Sequence, residues 1–417
     1  MAQLSDDCFA FGGELLSIEQ AAALMVRQVA PIVETESVEL AKADRRVLAE
    51  DLVAPIPLPP FDNSAVDGYA VHHADLATEG ETRLRIGGRI AAGDAAQSAV
   101  ARGEAVRIFT GAPMPAGADT VYMQEDCRIE GDTVILPAGL KAGSNRRLAG
   151  EDVARGTVAV AAGRRLQPAD VALAAALGFS RLTVRRPVRV ALFSTGNEIV
   201  AQGKPLPPAA LYDSNRFLLL SLLARAGAET TDLGILKDDR ATIAAAIEAA
   251  AKKHDLILTS GGVSTGDADH VRAAVEGLGR LVFWRLAIKP GRPVAMGVVG
   301  GAAFVGVPGN PVAALVTFIN VVRPLIFRLC GAAAEPPTAI PARATFYHRK
   351  KKDRREYLRG TLRQSANGPE ACKQPVEGAG ILSSVTQSTG FIVLPEDVTV
   401  ISPGDAVQFL PYESVLN

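Results

Sequence analysis

Apolar side chains recur at helical spacing near the start of the chain, where Ile18, Ala21, Ala22, Met25 and Val29 fall on one helix face. Ser17 and Gln20 stand ahead of them as a capping-box pair, and the pattern predicts a helical segment over residues 14–50. The stretch Leu52–Pro60 holds four prolines and must be extended, because proline has no N–H to give a helix. Short strand-like runs follow at Arg83–Gly87, Ala105–Phe109, Asp119–Met123 and Thr133–Leu136. Turn formers such as Ala92-Gly93-Asp94 and Glu130-Gly131-Asp132 separate them, which predicts a β-rich unit over 53–144. Helical signal returns at Pro168–Leu177, with Pro168 suited to a first turn and Gly178 to the residue after the last. Residues 1–52 and 145–186 are therefore expected to form one discontinuous domain around a β-rich insertion.

The pattern changes at about residue 187. Strand runs at Val188–Phe193, Thr231–Leu236, Leu256–Thr259, Leu281–Ile288, Val294–Val298 and Ala303–Val307 alternate with helical runs at Phe217–Arg225, Ala241–Lys253, Asp269–Leu278 and Val312–Leu329. Such alternation predicts a doubly wound α/β domain with a largely parallel sheet over 187–331. The tail 338–417 returns to short strands at Glu356–Leu362, Phe391–Leu394 and Ala406–Leu410 and is expected to be a small all-β domain. The fold class is thus multidomain, α/β plus β.

Length and composition narrow the function. At ~150 residues per domain, 417 residues make about three domains. Lys and Arg number 44 against 45 Asp and Glu, a net charge of −1 that leaves no chain-wide footprint for nucleic acid or membrane. Aromatic residues are only 5%, so the cores should be built of Ala, Val, Leu and Ile. Cys8, Cys127, Cys330 and Cys372 are far apart, which fits a reducing cytosol better than a disulfide scaffold. Asp6 and Asp7 replace the basic start of a signal peptide, and the apolar run Val312–Val322 is about half a membrane span and includes Asn320. A cytoplasmic protein is expected.

Ligands of open α/β sheets bind beyond the carboxyl ends of the strands, so the loops there carry the candidate chemistry. Thr195, Gly196 and Glu198 follow the first strand, and Pro308 to Pro311 the last. Between them, Ser260-Gly261-Gly262-Val263-Ser264-Thr265-Gly266-Asp267 combines hydroxyls with glycines and runs toward a helix start near Asp269, a combination suited to a phosphate or oxyanion. Glu198, Asp238, Asp239, Asp267 and Asp269 gather acidic oxygen at the same edge, as a Mg²⁺ site requires. Asp239 and Asp269 can equally cap their own helices, and Gly-Gly can be a plain turn. Arg285, Lys289 and Arg292 supply cations, and strand alternation would set Arg285 and Lys289 on one face. The run Arg349–Glu356 is a basic stretch without interleaved aromatics, to be read as a solvated face or a loop beside an anionic substrate. Walker-type phosphate loops, dinucleotide glycine fingerprints and nucleophile elbows are missing from the sequence.

Several motifs occur in a specific order: Asp62-Asn63-Ser64-Ala65-Val66-Asp67-Gly68-Tyr69-Ala70, Phe109-Thr110-Gly111-Ala112-Pro113, Arg147 through Glu151-Asp152, Phe193-Ser194-Thr195-Gly196, Thr259 to Ser264, Ile288-Lys289-Pro290-Gly291 and Pro308-Gly309-Asn310-Pro311. Together, over about 14–410, they resemble the MoeA-type molybdopterin molybdenumtransferases, relatives of the gephyrin E domain. The resemblance implies an elongated, four-domain homodimer whose α/β domain is of the molybdopterin-binding type. It implies an enzyme that takes adenylylated molybdopterin and molybdate as substrates, needs Mg²⁺ and releases AMP. A molybdopterin adenylyltransferase and molybdoenzyme maturation factors would be its partners.

The same resemblance implies roles for Asp67, Thr110, Glu198, Asp238, Asp269 and Lys289 in catalysis, with Glu198, Asp238, Asp267 and Asp269 as metal-side candidates. It assigns substrate contacts to Asn63, Ser64, Arg147, Asp152, Thr195, Gly196, Ser260, Gly261, Gly262, Ser264, Arg285, Pro308, Pro311, Arg359 and Ser383, with Arg147 and Asp152 as a polar pair at an interdomain cleft. Arg285 stands where the family commonly has lysine, and Asn197 where it often has an acid. Two other activities fit related folds: adenylylation of molybdopterin, and a non-catalytic scaffold.

Overall fold

The computed structural model describes residues 15–94, 99–263, 270–333 and 336–416. The first helix spans Ile18–Gln28, capped reciprocally by Ser17 and Gln20, and buries Ala21 and Met25. It is much shorter than residues 14–50. Pro31 cannot continue the helical ladder, and the following β-branched residues extend into the strand Thr35–Glu39, paired antiparallel with Arg181–Arg185. The helix Pro168–Ala176 packs Ala174 into the small core that Val38, Leu48, Leu166 and Val184 complete.

Between these pieces lies a six-stranded sheet in the order Thr120–Met123, Gly68–Val71, Glu104–Ile108, Glu81–Ile90, Thr133–Pro137, Arg128–Glu130. Strand alternation splits its apolar residues between two cores, Ala70, Val106 and Ile108 on one side and Tyr69, Val71 and Ala105 on the other.

The α/β sheet runs Glu229–Leu236, Arg189–Thr195, Leu256–Ser260, Ala302–Val307, Pro293–Val299, Gly279–Arg285. Its first four strands are parallel, and the last two continue antiparallel at the edge. Val190, Leu192, Leu258 and Val305 face Leu219, Leu222 and Leu223 of the helix Asn215–Arg225 and the long helical run Pro311–Leu329. Ala191, Phe193, Ile257 and Phe304 face Ile243 and Ile247 of the helix Arg240–Ala251 and Val271 and Val275 of the helix His270–Leu278. Both faces are covered, which is why the central strands are apolar throughout. The run Pro311–Leu329 is long and apolar enough to cross a membrane, but 72% of its window is buried inside the protein, so it is a core element. A π turn at Phe318–Val322 precedes Pro324, whose missing N–H needs no regular helical partner there.

The segment expected as one strand, Leu281–Ile288, is divided. Gly279–Arg285 belongs to the α/β sheet, whereas Ile288–Lys289 pairs in parallel with Arg355–Glu356 of the C-terminal sheet. Arg285 and Lys289 therefore do not share a strand face, because alternation holds only within one continuous strand. The C-terminal strand Arg355–Ser365 pairs with both Gly368–Lys373 and Gly390–Leu394. With Ile340–Ala344 and Ala406–Pro411 this closes a β-barrel around Leu358, Ile392 and Phe409.

Candidate functional site

Asp67 and Thr110, forty-three residues apart, meet through one carboxylate oxygen. Asp67 Oδ1 accepts the Thr110 backbone N–H at 2.8 Å and its hydroxyl at 2.7 Å. The Thr110 N–H, then its hydroxyl, hold the Asp67 carboxyl below the usual carboxylate range. Gly68 is needed beside it, since a Cβ there would lie 1.7 Å from the Tyr122 carbonyl. Asn63 and Ser64 are buried and turned inward: Asn63 Nδ2 donates to the Phe61 carbonyl at 3.1 Å and Ser64 Oγ to the Val66 carbonyl at 2.6 Å. These bonds shape the loop. Asn63 and Ser64 pair with Arg147 and Arg146, which brings the third polar stretch to the same place. Arg147 and Asp152 are both exposed, and no hydrogen bond or ion pair joins their side chains. The engaged arginine is Arg146, held by Asp62. Two cations escaped the sequence reading. Arg107 lies 4.9 Å and Arg89 4.8 Å from the Phe109 ring centre, beside Thr110. Strand alternation puts Arg107 and Phe109 on one face and could have revealed them.

At the carboxyl ends of the α/β strands, Thr195 is buried and its Oγ1 donates to Asp238 Oδ1 at 3.2 Å. Gly196 has φ +148, and the Glu198 carboxylate folds back to within 3.0 Å of where a Gly196 Cβ would be. Asp239 is committed to a helix cap, accepting the Thr242 N–H and hydroxyl at 2.9 Å each. Ser264, Asp267 and Asp269 lie outside the described residues. Among the described residues no three His, Cys, Asp or Glu side chains converge to hold a metal. Glu198 and Asp238 remain, on the loops of two paired parallel strands. Gly261 has φ +86, and its Cβ would strike the Thr195 carbonyl at 2.4 Å; at Gly262 the obstacle is Val271. The glycines thus allow close packing of loop on strand, and the room a side chain would need is already filled by protein.

Asn215 is a third residue the sequence reading missed. It is buried at the start of its helix, and Nδ2 donates to Ser260 Oγ at 2.9 Å and to the Gly309 carbonyl at 2.7 Å. It therefore fastens the Ser260 loop to the Pro308–Pro311 loop. Asp213 and Arg216 beside it form a buried pair at 3.0 Å. The polar run Asp213-Ser214-Asn215 ahead of an apolar helix was the available signal.

The Pro308 loop opens into a cleft of about 520 Å³. One wall is Lys289, Pro290, Arg292 and Asn310; the other is Lys351, Lys352, Arg354 and Glu377 of the C-terminal unit. Pro311 is the first residue of its helix, and the Val312 N–H behind it donates to the Ala379 carbonyl at 3.0 Å, joining the two walls. The basic run Arg349–Glu356 therefore borders a cationic cavity. Lys289 Nζ lies 3.4 Å from the fully buried Glu356. Burial would raise the Glu356 carboxyl, but His348, Lys289 and Arg354 outweigh it and hold the group below its usual range. Arg359 does not line the cleft. It is buried, and its guanidinium donates to Ser384 Oγ at 2.9 Å and to the Gly378 carbonyl at 3.1 Å, bracing the Glu377–Ala379 edge. Ser384, not the exposed Ser383, is its partner.

These features define a molybdopterin-binding type of α/β protein with added β units at both ends. A family model for the MoeA N-terminal region (domain I and II) matches residues 16–178, one described as a probable molybdopterin binding domain matches 191–328, and one for the MoeA C-terminal region (domain IV) matches 341–412. The chain is 39% identical over 405 residues to the molybdopterin molybdenumtransferase of Haemophilus influenzae, covering 96% of this chain and 100% of that one. It is 35% identical over 386 residues to that of a Nostoc species, covering 90% of this chain and 88% of the relative. Among solved structures, the molybdopterin biosynthesis moeA protein of Pyrococcus horikoshii superposes with a TM-score of 0.82 at 29% identity, over 96% of this chain and 100% of that one. The chain belongs to the molybdopterin molybdenumtransferase family, transferases of molybdenum cofactor biosynthesis.

Proposed function

We propose that this transferase accepts adenylylated molybdopterin, hydrolyses its phosphoanhydride, and inserts molybdate into the dithiolene with release of AMP. The observation that carries this reading is the cationic cleft at the end of the strand Ala302–Val307, where Lys289, Arg292, Lys351 and Lys352 surround a space of about 520 Å³. A doubly charged oxyanion and a pyrophosphate both need such a setting. Lys289 and Arg292 neutralise the anion, and the Ser260 and Pro308 loops, braced by Asn215, position the pterin phosphate. Catalysis rests on placement and charge neutralisation. Asp67, ionised and fixed by Thr110, orients the attacking water or accepts its proton. Water adds to phosphorus as the P–O bond to the pterin-side phosphate breaks, and AMP leaves.

Glu198 and Asp238 offer hard oxygen donors on adjacent strand ends, a set that fits Mg²⁺, which commonly uses one or two carboxylates and fills its remaining positions with phosphate and water. When bound, the ion supplies charge neutralisation at the phosphates. Asp267 and Asp269 are further candidates for the same role.

The hydrogen bonds of Asp67 and Thr110 stay within the insertion. This supports a homodimer in which the insertion of one subunit completes the α/β site of the other. The three six-stranded sheets support a division into 1–52 with 145–186, 53–144, 187–331 and 338–417, crossed by the short pairings of Arg146–Arg147 with Asn63–Ser64 and of Ile288–Lys289 with the C-terminal sheet. A cytoplasmic molybdopterin adenylyltransferase would supply the substrate, and molybdoenzyme maturation factors would receive the product. The direct test gives purified protein adenylylated molybdopterin, Mg²⁺ and molybdate, and quantifies AMP and mature cofactor. AMP should appear together with cofactor and fall sharply, to a low but measurable rate, in Asp67→Asn and Lys289→Ala. Pterin binding without AMP release by the wild-type protein would overturn the reading.

A further inference from the structure

Glu356 stands in register with Lys289 where the strand Ile288–Lys289 joins the C-terminal sheet. Its side chain is 0% exposed, while that of Lys289 is 46% exposed at the cleft. Oε2 accepts from Lys289 Nζ at 3.4 Å and from His348 Nε2 at 3.1 Å; Oε1 accepts from Arg354 Nε at 3.0 Å, and a terminal nitrogen of Arg354 lies 2.8 Å from it as an ion pair. A buried ion pair is poor evidence of stabilisation, since an apolar side chain at such a site often serves stability as well or better. The apolar alternative is at hand on the same strand, where Tyr357 and Leu358 pack into cores. What an acid does here, and an apolar residue cannot, is gather cations from two distant stretches of chain.

Those cations retain donors for a ligand. An ammonium has three N–H bonds and a guanidinium five. Lys289 commits one to Glu356, and its only protein acceptor among the described residues is that carboxylate. The loop carrying Arg354 is itself locked. Lys350, buried, donates to the carbonyls of Lys351 at 3.3 Å, Arg354 at 2.8 Å and Glu396 at 3.3 Å. Around the cleft Lys289, Arg292, Lys351, Lys352 and Arg354 outnumber Asp353, Glu356 and Glu377, so its lining stays net positive, with Lys351 and Lys352 exposed.

We propose that Glu356 is a positioning residue for the transfer reaction, holding Lys289 and Arg354 at the cleft so that both present N–H groups to the tetrahedral oxyanion. The inference rests on the reading of the cleft as the oxyanion site. Holding a long side chain in advance lowers the ordering cost of binding, so the loss should fall on oxyanion affinity.

The test measures KM for molybdate and KM for adenylylated molybdopterin separately, with thermal unfolding alongside, in Glu356→Gln, Lys289→Ala and the double variant. Glu356→Gln is expected to raise the molybdate KM by roughly tenfold and to change the pterin KM by less than about twofold. In the Lys289→Ala background the same substitution should cost clearly less, because part of its effect is already gone. If a folded Glu356→Gln keeps the wild-type molybdate KM while Lys289→Ala raises it, the positioning role is wrong. Equal factors in both backgrounds overturn it too. If Lys289→Ala leaves the molybdate KM unchanged, the reading of the cleft itself fails. Should Glu356→Gln not fold, Glu356→Asp is read by the same criteria.

Discussion

A single carboxylate oxygen of Asp67 takes both donors of Thr110, so the pair is a preset element and not two independent surface groups. Asp67→Asn keeps the shape and removes the charge. Turnover is expected to fall by roughly 10²-fold, with little change in the unfolding transition, since the side chain sits at the surface of its loop. The carboxyl is held low by the Thr110 N–H and hydroxyl, so its folded pKa lies below the unfolded value. The stability it contributes is present above the unfolded value near ~3.9 and is lost as pH falls through the folded value. Acid unfolding curves of wild type and Asp67→Asn should therefore differ by only a small margin above about pH 4 and converge as pH falls through the folded value. At this scale the sequence was readable in kind, but it did not reveal that Arg146, beside Arg147, holds Asp62, or that Ser384, beside Ser383, meets Arg359. Neighbouring residues of like chemistry point to opposite sides of a strand or turn, and nothing in their identity says which side meets the partner.

Loops and strand ends decide more than single groups do. A methyl at Gly261 would lie 2.4 Å from the Thr195 carbonyl, and the residue has φ +86. Gly261→Ala should destabilise the α/β unit by roughly 2 kcal/mol in urea unfolding and weaken pterin binding, because the Thr195 and Ser260 loops must part. At the opposite end of the sheet, Asp255 takes the Arg186 fork at 2.7 and 2.9 Å and the Arg189 N–H at 2.8 Å. Burial would raise the Asp255 carboxyl, but these donors outweigh it and lower it. Asp255→Asn leaves a mostly buried guanidinium short of its charge partner and should cost about 2–3 kcal/mol near neutral pH. The difference should fade as pH drops through the low folded value of the carboxyl, present above the unfolded value and gone below the folded one. Most elements were legible because helices and parallel strands carry strong apolar periods, as in Phe217–Arg225 and Leu256–Thr259. The early helix was overextended because alanines and acids after Pro31 look helical in composition. The break after Arg285 was invisible because Leu286, Ala287 and Ile288 are apolar in either sheet.

For the whole molecule, the decisive question is whether Asp67 and Lys289 serve one site from two subunits. Mixing Asp67→Asn with Lys289→Ala protein under subunit exchange should then restore about a quarter of wild-type turnover, since half the dimers are mixed and each has one intact site. A site contained within one chain would show no recovery. The resemblance of the ordered motifs was enough to foresee the family and implied such a site between subunits, whereas spacing and periodicity alone could not, for a linear pattern carries no symmetry operator. The handover of Ile288–Lys289 from one sheet to the other has a mechanical consequence. The two walls of the cleft are spliced by the same few residues, so a hinge between them cannot run along the cleft without first unzipping a backbone ladder. Excising the C-terminal barrel would not trim an appendage. It would strip the α/β unit of the carboxylate that holds its own lysine and leave a frayed edge at the proposed oxyanion site.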